Sequence, residues 1–124
     1  MMEFFTLSDE EKIEIINNAL EAGPTIPFPN FSKLFKTWLE ILTTLTEEQR
    51  EGLFFAYIYE VTNNPQKLIE FNLDGILEIY LTLDDEKKTI LAQTVKKILE
   101  GLEESRKKRI FLVIPDNAKK QLGL

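Results

Sequence analysis

The chain has no cysteine and no histidine among its 124 residues. Without thiols there is no disulfide, no thiolate nucleophile and no cysteine-ligated zinc. Without imidazole there is no Ser-His or Cys-His pair and no helical di-iron site built on Glu-x-x-His. The side chain most used for proton transfer near neutral pH is missing as well. Catalysis would fall to carboxylates, Lys, Tyr, Ser or Thr, or to a borrowed cofactor. The expectation is a protein that is not an enzyme and that needs neither cofactor nor metal. Long apolar runs are also lacking, since no window approaches the roughly 20 residues that span a bilayer, so no transmembrane segment is expected. The start, Met1-Met2-Glu3-Phe4-Phe5, has no basic n-region and no long apolar h-region. It reads as no signal peptide, and a cytoplasmic location is the default expectation.

What is present is the balance of a globular chain, 44% apolar and 29% charged. A single helical domain over residues 1–124 is expected. The net charge of −6 is unevenly spread: residues 1–105 hold 9 basic and 20 acidic side chains, residues 106–124 hold 6 and 1. An acidic body argues against nonspecific nucleic-acid binding, which neutralises phosphates. The basic, then apolar tail at 105–124 keeps a limited exception open.

Three similar hexapeptides, Leu7-Ser-Asp-Glu-Glu-Lys12, Leu45-Thr-Glu-Glu-Gln-Arg50 and Leu83-Asp-Asp-Glu-Lys-Lys88, stand 38 residues apart. Each has the chemistry of a helix start. Ser8, Thr46 and Asp84 can accept from orphan first-turn N–H groups, and Glu11 and Gln49 complete capping boxes. The following acids suit the positive end of the helix dipole. Trp38-Leu-Glu-Ile41 leads into the second hexapeptide as Ile76-Leu-Glu-Ile79 leads into the third. The period predicts one αα-hairpin per unit, against the plainer alternative of three helix starts evenly spaced by chance.

The fold class expected is all-α: about five helices, arranged as hairpin repeats in a compact right-handed array or bundle. They are read at about 9–22, 31–44, 47–62, 65–82 and 85–104. The link from Gly23 to Asn30, with Pro24, Pro27 and Pro29, is expected to be extended and stiff. Asn64 is expected to cap the fourth helix, with Pro65 at its first position and a kink around Asn72–Gly75. A β-turn through Asp74-Gly75 is the competing reading. Glu70, Asn72, Asp74 and Gly75 sit where a calcium loop places ligands, but Leu81 occupies the position of the closing Glu, so no metal site is assigned. The paired acids at Asp9-Glu-Glu11, Glu47-Glu48 and Asp84-Asp-Glu86 are explained by helix starts alone.

Two surfaces are candidates for function. The first combines Phe35 and Trp38 of the second helix with Phe55 and Tyr59 of the third. That third helix is apolar almost all the way round through Leu53-Phe-Phe-Ala-Tyr-Ile-Tyr59. Leu53, Phe54, Tyr57, Ile58 and Val61 form its core stripe, leaving Phe55 and Tyr59 as a second face. The second is Arg106, Lys107, Lys108 and Arg109, followed by Ile110–Ile114, a run expected to fold back onto the body and too short for an independent amphipathic helix. If exposed instead, it would be an arm for an acidic protein, an anionic membrane or a nucleic acid. Over Thr46 to Tyr57, an acidic start followed by Leu53-Phe-Phe-Ala-Tyr57 resembles the aromatic helix in the carotenoid-binding helical domain of cyanobacterial photoprotection proteins. Phe54 stands where that family tends to have tryptophan and the chain is shorter than the family domain, so the likeness assigns no family.

The functional expectation is an interaction, adaptor or regulatory module whose partner is another protein or a second copy in a homodimer. The alternative is a carrier of an apolar small molecule, such as a pigment or lipid, between the second and third helices. An enzyme using carboxylate or Lys chemistry comes third.

Overall fold

A computed structural model describes residues 2–124, with side chains from residue 4 onward. After a 3-10 turn at Met2–Thr6 come α1 (Asp9–Ala22), a 3-10 turn at Gly23–Thr25, α2 (Phe28–Thr44) and α3 (Glu47–Asn63). Then follow α4 (Gln66–Ile69), α5 (Leu73–Leu81), α6 (Asp85–Gly101), α7 (Glu104–Val113) and α8 (Asp116–Leu122). The described residues are all-helical without strands, and the β-turn through Asp74-Gly75 is not formed. None of these helices is long and apolar enough to cross a membrane.

The expected helix starts carry their caps. Ser8 accepts from Glu11 N and Thr46 from Gln49 N, each in a reciprocal capping box, and Asp84 accepts from Lys87 N. The three capped helices are neighbours, with α3 packed between α1 and α6. What lies between the starts differs from the expectation of about five helices. The first interval holds α1 and α2, whereas the second holds α3, α4 and α5.

The proline-rich link is not extended. Gly23–Thr25 winds a 3-10 turn with Pro24 at its start, and Pro27 stands at the cap of α2, so that helix begins at Phe28 rather than 31. Proline lacks only the N–H that a first turn does not use, so Pro27 and Pro29 are compatible with a helix start. Asn64 does not cap α4 with its side chain; Pro65 takes the cap position, and only the Asn64 carbonyl takes part, accepting from Lys67 N. The expected kink at 72–75 is a full break. Asn72 Oδ1 accepts from Gly75 N at 3.0 Å and starts α5 afresh.

The tail also departs from expectation, because it forms two helices of its own. A short helix gains most of its stability from tertiary burial. Ile110 provides that for α7, buried in a cluster with Ile16, Leu20, Val61, Leu99 and Leu102. Phe111, Val113 and Ile114 are half-buried, while Leu112 is 85% exposed. A second cluster, including Leu39, Leu42, Leu53, Phe54, Ile79, Leu91 and Ile98, joins α2, α3, α5 and α6.

Candidate functional site

α2 packs against α5 and α6, and α3 against α1, α6 and α7. Between α2 and α3 the contact is made by rings. Phe28, Phe31, Phe35 and Trp38 recur at three- and four-residue steps, so they share one helix face. Their centroids follow at 6.0, 5.4 and 5.7 Å. Trp38 then meets α3 edge-on, 5.9 Å from Phe54 and 5.3 Å from Tyr57. From the link between α4 and α5, Phe71 reaches Phe31 at 5.7 Å. Beside these ring contacts the two helices leave a gap.

The gap is a cavity of about 510 Å³ that opens to solvent, walled by α1, α2 and α3, with Leu68, Phe71, Leu73, Ile76 and Ile110. Gly23 sits at its edge. A Cβ there would stand 2.5 Å from Phe71 Cε1 and 2.6 Å from its Cζ, so glycine is what lets that ring lie against the turn. A second cavity of about 240 Å³ continues beyond a shared wall of Phe35, Phe54, Leu68, Leu73 and Ile76. Its far side is closed by Ile114, Pro115, Ala118 and Leu122 of the tail. Neither cavity is lined by a charged side chain. Burial pushes the Tyr57 and Tyr80 hydroxyls above the ordinary tyrosine range.

Of the residues singled out in the sequence, Phe35 and Trp38 line the larger cavity, but Phe55 and Tyr59 do not. Those two point outward, 46% and 37% exposed, with ring centroids 5.8 Å apart. The inward aromatics of α3 are Phe54 and Tyr57, which belong to its core stripe. The periodicity of α3 separated these two rings from Phe55 and Tyr59, but with apolar residues on both faces it did not say which face meets α2. Phe31 stands at the same helical spacing as Phe35 and Trp38 in the sequence; Phe71 lies in a link and carries no periodic signal.

The basic run divides in the same way. Arg106 is spent inside the molecule: its guanidinium lies 4.1 Å from the Tyr59 ring centroid. It donates to Thr62 Oγ1 at 2.9 Å, Asn63 Oδ1 at 2.6 Å and the Tyr59 hydroxyl at 3.0 Å. Arg109 donates to the Thr62 carbonyl at 3.4 Å. Lys107 is half-buried and Lys108 exposed. The structure therefore brings Tyr59 and Arg106 together as one clamp of α7 on α3, apart from the cavity. Among the described residues no group of three or more carboxylates is placed to hold a metal ion.

No protein-family model matches the chain, and neither a curated protein nor a solved structure matches it.

Proposed function

We propose that the chain is a non-catalytic binding protein for an elongated or flat apolar small molecule, held between α2 and α3. The observation that carries this reading is the pair of neighbouring, uncharged cavities of about 510 and 240 Å³ that share one wall. Ligand sites are mostly apolar and fall in the range of roughly 300–1,000 Å³. A packed core leaves few voids larger than a water molecule. At about 24 cal/mol per Å³ of unfilled void, a closed chamber of 510 Å³ would cost roughly 12 kcal/mol. That rivals the roughly 5–15 kcal/mol by which a whole domain is stable. The figure is an upper bound, because the chamber opens to solvent. An apolar ligand would recover much of that loss.

The test is binding of an environment-sensitive apolar dye such as Nile red, with thermal unfolding followed in parallel. The expected result is saturable dye fluorescence and a ligand-dependent rise in melting temperature. Both effects should be lost in Ile76→Phe, which fills the wall common to the two chambers. Unsaturable dye uptake that ignores the substitution would sink the carrier reading.

A partner-binding or self-associating surface is the second reading. It is favoured by the outward rings of Phe55 and Tyr59 and by the exposed Leu112, and the mass in solution tests it. The 38-residue spacing of the three capped starts supports, within either reading, an origin in repeated helical hairpins.

A further inference from the structure

The walls of the two chambers differ in one respect, and it bears on the ligand. In the larger chamber only Trp38 and Tyr57 carry polar side-chain atoms. Their rings touch, with centroids 5.3 Å apart and planes at 63°. Neither the Trp38 indole N–H nor the Tyr57 hydroxyl is hydrogen-bonded to another described residue. Both remain reachable, since no fully buried side-chain N or O is left without a partner. In the smaller chamber the one polar-tipped wall residue is Tyr80, and its hydroxyl already donates to the Lys88 carbonyl at 2.9 Å.

Tyrosine hydroxyls and indole N–H groups in apolar surroundings ordinarily find an acceptor. Here the two side chains that carry unbonded donors both line a chamber whose other wall side chains are hydrocarbon, while the chamber beyond has its single donor satisfied. We propose, building on the carrier reading, that the ligand is a neutral hydrophobe with one hydrogen-bond acceptor oxygen, seated against Trp38 and Tyr57 with its apolar remainder directed toward the smaller chamber. A ketone, aldehyde, ester or ether fits this description. A carboxylate does not, because no cation lines the site to compensate its desolvation. The Tyr57 hydroxyl, a phenol whose ordinary value of 10.0 burial raises further, can donate throughout the neutral range.

The test uses a long-chain methyl ketone, the alkene of the same length and the corresponding fatty acid. Binding is read by the fluorescence of Trp38, the only tryptophan in the chain. The ketone should bind about threefold to tenfold more tightly than the alkene, the scale of one net hydrogen bond, and the fatty acid weakest above its pKa. The ketone carbonyl stretch should fall in frequency on binding. Tyr57→Phe should shrink the preference for ketone over alkene and reverse part of the infrared shift. Tyr80→Phe, whose hydroxyl is already engaged, should leave the preference intact. Equal binding of ketone and alkene, or a carbonyl band that Tyr57→Phe does not move, overturns this inference and leaves the carrier reading standing. If none of the three binds, both fall together.

Discussion

Arg50 is buried on α3, where its Nε donates to the Leu42 carbonyl at 3.0 Å and its Nη2 to the Leu45 carbonyl at 2.8 Å. It thereby pairs the Leu45 carbonyl at the end of α2 and adds a second donor to the Leu42 carbonyl, which already accepts from Leu45 N, and it ties α2 to α3 next to the ring ladder. Arg106 plays the matching part at the far end of α3, on Tyr59, Thr62 and Asn63. Replacing Arg106 with alanine removes a cation–π contact and three hydrogen bonds from a half-exposed site. The expected loss is about 1–2 kcal/mol in urea unfolding. Arg106→Lys should recover less than half of it, because an ammonium cannot hold the planar fork of contacts. An unchanged midpoint in Arg106→Ala would show the clamp to be incidental. At this scale the sequence was half legible. Phe35 and Trp38 stand on a helix with one clear apolar face. Phe55 and Tyr59 stand on a helix without one, and the pairing of Tyr59 with Arg106 joins residues 47 apart in the chain.

Helix starts were readable because capping is local: Ser8, Thr46 and Asp84 need only their own next three residues. Helix breaks and tail helices were less so, because Asn72 competes as a cap within an apolar run and α7 depends on where Ile110 is buried. The α3–α6 joint shows how elements are tied at the surface. Lys97 Nζ donates to Glu51 Oε1 at 2.7 Å and lies 3.6 Å from Glu47. The Lys97 hydrogen bond holds the Glu51 carboxyl below its ordinary value of 4.5, and the Glu51 hydrogen bond holds Lys97 above its ordinary 10.5. A lowered acid contributes stability above its unfolded pKa and loses it as pH falls through the folded one. A raised base contributes below its unfolded pKa and loses it as pH rises through the folded one. The pair should therefore stabilise the joint only between those limits. A double-mutant cycle with Glu51→Gln and Lys97→Met should show coupling at neutral pH and none in acid well below the carboxylate range, weakening with salt. Coupling that ignores pH would mean the two side chains act by packing rather than charge.

For the molecule as a whole, the placement of α3 between α1 and α6 leaves α2 on the other side of a ring-lined gap. The apolar surface that a hairpin array would have closed is then partly turned toward the cavity. The carrier reading expects light scattering to report the monomer mass of 14.4 kDa. A stable mass near twice that, reduced by Phe55→Ser at the outward aromatic pair, would instead favour the partner-binding surface and give the rings of Phe55 and Tyr59 their use.

The sequence by itself determined that the chain is helical, where its three capped helices begin, which face of α2 is apolar, and that cysteine and histidine chemistry is excluded. These follow from composition and from interactions spanning one or two helical turns. Only the tertiary structure decided that α2 and α3 meet through Trp38, Phe54 and Tyr57 beside a cavity, that Phe55 and Tyr59 lie outside it, and that the tail lines the far side of the second cavity. Each depends on side chains tens of residues apart competing for the same space, and no local pattern records the outcome of that competition.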